Sequence, residues 1–97
     1  MIKHIVCFKL FDSSPSAKKQ AKNILMSMKE NVPIIRNIEV GTDFLCSARS
    51  YDVILQVTLD DETALDEYQN DLYHREKVKA YMHNAAVSSV ALDYYID

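Results

Sequence analysis

Cysteine is scarce in this sequence. Only Cys7 and Cys46 occur in 97 residues, far apart and with no histidine or second cysteine at metal-ligand spacing. That excludes a disulfide scaffold and a thiolate metal site, and leaves two free thiols suited to a reducing compartment. Long apolar runs are missing too. A membrane-spanning helix needs about 20 apolar residues, and no stretch approaches that. The N-terminal run Ile5-Val6-Cys7-Phe8 ends at Lys9, too short for a signal peptide. The expected setting is therefore the cytoplasm, with no membrane partner. Positive charge is not in excess. The formal net charge is −3, and the densest basic cluster, Lys18, Lys19 and Lys22, is what one exposed helix face normally carries. Nucleic acid is thereby disfavoured as the main partner. Glycine occurs once, at Gly41, and tryptophan not at all. Repeats, low-complexity tracts and linkers are absent, so residues 1–97 read as one domain.

What is present is patterning. Apolar residues make up 48% of the chain, enough for a packed core. Residues 2–11 alternate as a strand, with Ile2, His4, Val6, Phe8 and Leu10 on a nearly dry face and Lys3, Ile5, Cys7, Lys9 and Phe11 on a mixed one. Asp12, Ser13, Ser14 and Pro15 signal a helix start. Ala17, Ala21, Ile24, Leu25, Met28 and Val32 then recur at helical spacing, opposite a polar face that includes Lys18, until Pro33 stops the helix. Residues 34–44 predict a second strand, in which Gly41 marks a bulge or a close backbone approach. Residues 45–50 read as a polar turn. Residues 51–59 give the clearest strand, with Tyr51, Val53, Leu55, Val57 and Leu59 on one side. Asp60 and Asp61 cap a short helix carrying Ala64, Leu65 and Tyr68, and a second short helix presents His74, Val78, Tyr81 and Met82. Residues 87–96 form the last strand, with Val90, Leu92, Tyr94 and Ile96 on one face.

The order strand, helix, strand, strand, helix, strand is the split βαβ, or ferredoxin-like, arrangement: an α+β fold with a four-stranded antiparallel sheet covered by helices on one face. The other face carries apolar groups as well; the expected set is Ile5, Cys7, Phe11, Ile54, Ala91 and Tyr95. A second copy packed sheet to sheet about a two-fold axis is the simplest cover, which predicts a homodimer.

Several segments resemble one family. The opening Met1-Ile2-Lys3-His4-Ile5-Val6-Cys7-Phe8-Lys9-Leu10 is similar to the first strand of the stress-responsive A/B barrel domain (Dabb). So are Ile38-Glu39-Val40-Gly41-Thr42-Asp43, Tyr51-Asp52-Val53-Ile54-Leu55, Leu65-Asp66-Glu67-Tyr68-Gln69 and Val90-Ala91-Leu92-Asp93-Tyr94. The stretch from Asn70 to His74 looks like the family's Asn-His-Pro-x-His, but Asp71 and Leu72 stand where the family often has His-Pro, and only the final histidine is present. The resemblance implies ferredoxin-like subunits paired into a dimeric α+β barrel, and it implies no single activity. One plant branch looks like polyketide cyclases, in which a pocket histidine and tyrosine promote aldol ring closure.

Three groups are candidates for chemistry: His4 on the first strand, Tyr68 on the first short helix and His74 on the second. A helix-covered sheet can bring them to one cavity. Histidine exchanges protons near neutral pH, and a tyrosine hydroxyl can donate to an oxygen on which negative charge develops. Val6, Phe8, Leu55 and Val57 are candidate substrate-binding residues that would exclude water and hold a small hydrophobic or aromatic ligand. On the cyclase likeness His74 would be the base, Tyr68 the oxyanion partner, and His4 the residue that orients the substrate or His74. The plainer alternative is a non-catalytic dimeric module in which His4 and Tyr68 are packed core residues and His74 caps the start of its helix or bridges to the partner subunit. Haem handling or cofactor-free oxygenation rests on fold analogy alone, without tryptophan or an axial-ligand set to support it. No cofactor is expected. His4, His74 and His83 have no spacing that requires them to converge on a metal.

Overall fold

Residues 1–96 are described by a computed structural model; Asp97, the last residue of the expected domain, lies outside them. The strands are β1 (Ile2–Leu10), β2 (Asn37–Thr42), β3 (Val53–Leu59) and β4 (Ala86–Tyr95). Their spatial order is β2-β3-β1-β4, and every neighbouring pair is antiparallel. The helices are α1 (Pro15–Met26), α2 (Met28–Asn31), α3 (Glu62–Asn70), a π-helical segment (His74–Lys79) and α4 (Ala80–Ala85). This is the α+β split βαβ order read from the sequence. The core lies between the sheet and the helices, where Leu25, Met28, Val32, Val57, Leu59 and Tyr68 are almost wholly buried.

The expected first helix is two. It runs from the N-cap Ser14, whose Oγ accepts from Ala17 N at 3.2 Å, to Met26. At Ser27 the chain breaks: the Ser27 hydroxyl donates to Ile24 O at 2.5 Å, a local side-chain bond that competes with the helical ladder. Helix α2 resumes at Met28 and ends before Pro33. Asp61, not Asp60, caps α3, accepting from Ala64 N at 2.8 Å, while Asp60 takes the Arg36 guanidinium at 2.7 and 2.9 Å. The second strand is shorter than residues 34–44 because the chain turns after Val32, where Ile35 N donates to Val32 O at 3.2 Å, and Ile34 and Ile35 pack against the core rather than pairing. Gly41 sits in an unbroken register opposite Ile54, where a Cβ would lie 3.2 Å from Ile54 Cγ2, so it serves close approach and not a bulge.

Two corrections concern burial. Lys18 was expected on the solvated face of the first helix. It is buried, with Nζ donating to Asp43 O at 3.1 Å and lying 3.9 Å from the buried Asp52 carboxylate. Asp52 also accepts from Leu10 N at 2.8 Å, so the lysine stem crosses the core edge to reach a carboxylate that the sheet requires. The second correction is the face of β4. In the β1–β4 register His4 stands opposite Asp93 and Val6 opposite Ala91, so Ala91, Asp93 and Tyr95 face the helices. The Tyr95 hydroxyl donates to the Glu62 carboxylate at the start of α3. The residues that join Ile5 and Cys7 on the open face are Val90, Leu92 and Tyr94. Both sides of this strand carry apolar groups, and a one-residue change of phase exchanges every side chain between faces.

Candidate functional site

The site lies where β1, β4, α3 and the following helix meet. Asp71 leaves α3 in an extended conformation (ψ 133°) and begins the next helix. Its backbone oxygen accepts from Arg75 N at 2.9 Å and its carboxylate from His74 N at 3.1 Å. An aspartate cap thus does the work of breaking and restarting the helix where the family often has His-Pro. The restarted helix passes through the π-helical segment His74–Lys79, and such segments occur often at functional sites. The wider turn keeps His74, Val78 and Met82 buried on one face.

Tyr68 on α3 is fully buried, with its ring between the two histidines. It stacks on His74 (centroids 4.3 Å apart, planes at 25°) and meets His4 edge to face (5.6 Å, 63°). Its hydroxyl is directed to Met28 Sδ at 3.7 Å, and burial raises its pKa well above the usual tyrosine value. His4 Nδ1 bonds the Asp93 carboxylate at 2.5 Å, a contact that orients the ring and leaves the other nitrogen free. His74 differs. Burial first, then the nearby Lys79 ammonium, holds its pKa down at about 4; His4 adds to this, while a Tyr68 backbone group and the Asp71 carboxylate pull upward. At neutral pH the ring is uncharged. Its Nδ1 is buried and makes no well-formed hydrogen bond among the described residues, although the Tyr68 backbone lies close enough to the ring to favour its protonated form.

A cavity of about 490 Å³ opens beside these rings. Of the sequence-derived candidates, His4, Val6, Phe8, Leu55, Tyr68 and His74 line it. Val57 does not: it pairs with His4 and Ile38 across the sheet and is wholly enclosed in the core. Leu25, Val78 and Met82 supply apolar wall that the sequence reading did not assign, and Lys79 and His83 stand at the exposed side. Asp93 was also missed as a partner of His4. An aspartate within an otherwise apolar final strand was the signal, and reading the strand in the opposite phase hid it. Among the described residues no group of three His, Cys, Asp or Glu is placed to hold a metal ion.

The sequence model of the stress responsive A/B barrel domain matches residues 2–96. The chain belongs to this family. Solved structures of the same fold include a dimeric ferredoxin-like protein of unknown function from Thermobifida fusca, 26% identical, with a TM-score of 0.83 over 98% of this chain and 90% of that one. A Dabb family protein from Mesorhizobium loti is 21% identical, with a TM-score of 0.73 over 98% of this chain and 95% of that one. A hydroxynitrile lyase from Passiflora edulis is 18% identical, with a TM-score of 0.81 over 99% of this chain and 93% of that one. No protein of curated function matches the sequence of this Dabb chain.

Proposed function

We propose that this Dabb domain binds a small, largely apolar or aromatic carbonyl compound in the cavity and moves a proton on it without a cofactor. The observation that carries this reading is the pair of buried histidines flanking Tyr68 on one cavity wall. One is oriented by Asp93, and the other is neutral with an Nδ1 that makes no well-formed hydrogen bond among the described residues. Two imidazoles in different environments are a suitable basis for one group to accept a proton while the other hydrogen-bonds the substrate oxygen. His74 is the base in this reading and His4 its orienting companion. Tyr68 acts as the developing oxyanion's donor if its hydroxyl leaves Met28 when substrate enters. Val6, Phe8 and Leu55 hold the apolar part. The lyase with the same fold supplies a reaction class worth assaying. Two free cysteines suit a reducing, cytoplasmic setting for this activity.

The assembly belongs to the same proposal. Val90, Leu92 and Tyr94 are 51%, 63% and 40% exposed on the open sheet face beside Ile5 and Cys7. A second copy packed on that face removes this apolar surface from water, and the dimeric Thermobifida protein supports such pairing.

The deciding experiment follows exchange with D2O of the protons next to the carbonyl of a phenyl-substituted alkyl ketone such as phenylacetone. The expected result is exchange above the buffer rate that is lost in His74→Ala and reduced in Tyr68→Phe. Exchange at the buffer rate, with His4 and His74 ring signals unmoved by any aromatic ligand, overturns the reading and leaves a non-catalytic dimeric module.

A further inference from the structure

The cavity grades from a dry interior to a wet side, and its charge grades with it. The interior is closed by Leu25, Leu55, Val78 and Met82 around His4, Tyr68 and His74. On the exposed side stand Lys79 and His83 from the helical layer and Ser88 and Ser89 from β4. None of the described residues lining the cavity is an aspartate or glutamate. Among the described residues that line it, the one fixed charge is therefore the Lys79 ammonium, the Asp93 carboxylate being bonded to His4 Nδ1. A ligand whose apolar part fills the interior brings its other end to this cation.

Resting on the proposed ligand pocket and going beyond it to the substrate class, we infer that the ligand of this cavity is an anion, an aromatic or alkyl carboxylate whose charged group pairs with Lys79. Apolar walls contribute affinity through area removed from water, without regard to what the polar end carries. The cation selects that end. A neutral isostere keeps the apolar contacts and leaves the ammonium unpaired, whereas a second cation is repelled.

The same pairing reaches His74. The groups that act on its imidazole are Lys79 on its own helix, His4 from β1, and Asp71 and the Tyr68 backbone from the end of α3; Lys79 is the strongest of the charges that keep it unprotonated. Asp93 of β4 faces His4 across the sheet, and His83 lies further along the cavity side. A carboxylate on Lys79 cancels the opposing charge, so ligand binding makes His74 easier to protonate. By linkage, a rise in the pKa of His74 on binding favours binding of the carboxylate form as the pH falls toward that range, until the ligand's own carboxyl takes up a proton and loses its pairing with Lys79.

The test uses the whole chain, 3-phenylpropionate and its uncharged amide 3-phenylpropanamide, with His74 ring signals followed by NMR. The acid is expected to bind at least about fivefold more tightly than the amide, the effect of one partly screened ion pair. Lys79→Gln is expected to abolish the preference; Lys79→Arg is expected to keep it. The His74 titration midpoint is expected to move up in the acid complex and not in the amide complex. Equal binding of acid and amide by the unaltered protein overturns the inference and leaves the pocket reading standing. Absence of binding by both overturns the pocket reading as well. A preference for the acid that survives Lys79→Gln assigns selection to another group and overturns the role of Lys79.

Discussion

Burial decides the charge of His74 before any ligand arrives, and that decision has a consequence for stability. Its folded pKa is about 4 against an ordinary 6.5. In the unfolded chain the ring takes up a proton below about pH 6.5, while the folded ring refuses one until about pH 4, so stability falls as the pH drops through that window. The loss from this group alone is roughly 3 kcal/mol, and His74→Gln is expected to flatten that part of the profile, measured by urea unfolding at pH 7 and pH 4.5. Asp52 has the opposite character, a buried carboxylate held by the Leu10 N–H and near the Lys18 ammonium. Asp52→Ala leaves the Leu10 N–H without its acceptor and the buried Lys18 ammonium without its carboxylate, with only the Asp43 carbonyl to receive it, and is expected to cost on the order of 3 kcal/mol. At this scale the sequence was informative for groups whose role is local. Ser14 and Asp61 announced themselves as caps. Lys18 and Asp93 did not, because what makes them matter is a partner 34 or 89 positions away (52 − 18; 93 − 4).

Between residue and molecule, the helix after α3 owes its place to one side chain. Asp71 both terminates α3 and caps the helix that carries His74, Val78 and Lys79. Asp71→Ala is expected to lower stability by about 1 kcal/mol, read from the midpoint of chemical unfolding. It should also loosen the stacking of His74 on Tyr68, visible as a changed His74 ring shift. Periodicity located every strand, the first helical region and the two short helices after β3, since 2.0 and 3.6 repeats survive in the residues themselves. It did not show the break at Ser27 or the π-helical turn. Both depend on which hydrogen bonds win after packing, and the apolar spacing of Ile24, Leu25 and Met28 is compatible with either outcome.

The open sheet face is the property of the whole chain. Leu92→Glu places a charge in the middle of it, opposite Ile5, and is expected to convert a dimer to a monomer in light scattering while leaving the helical signal in circular dichroism intact. A dimer unaffected by that change would put the interface elsewhere. The architecture was legible because element order and a helix-covered sheet leave few topologies. The face of β4 was not, because Val90, Leu92 and Tyr94 are as apolar as a core stripe and only the pairing with β1 tells inside from outside.

That pairing also sets the order of events during folding. The contact of His4 with Asp93 joins the first strand to the last. It closes one of the longest loops the chain can form, and long loops close late and slowly. The oriented histidine cannot exist until the final strand docks. A population that has collapsed but not yet added β4 would be compact, helical and blind to ligand, so recovery of binding should lag behind recovery of secondary structure when the protein refolds.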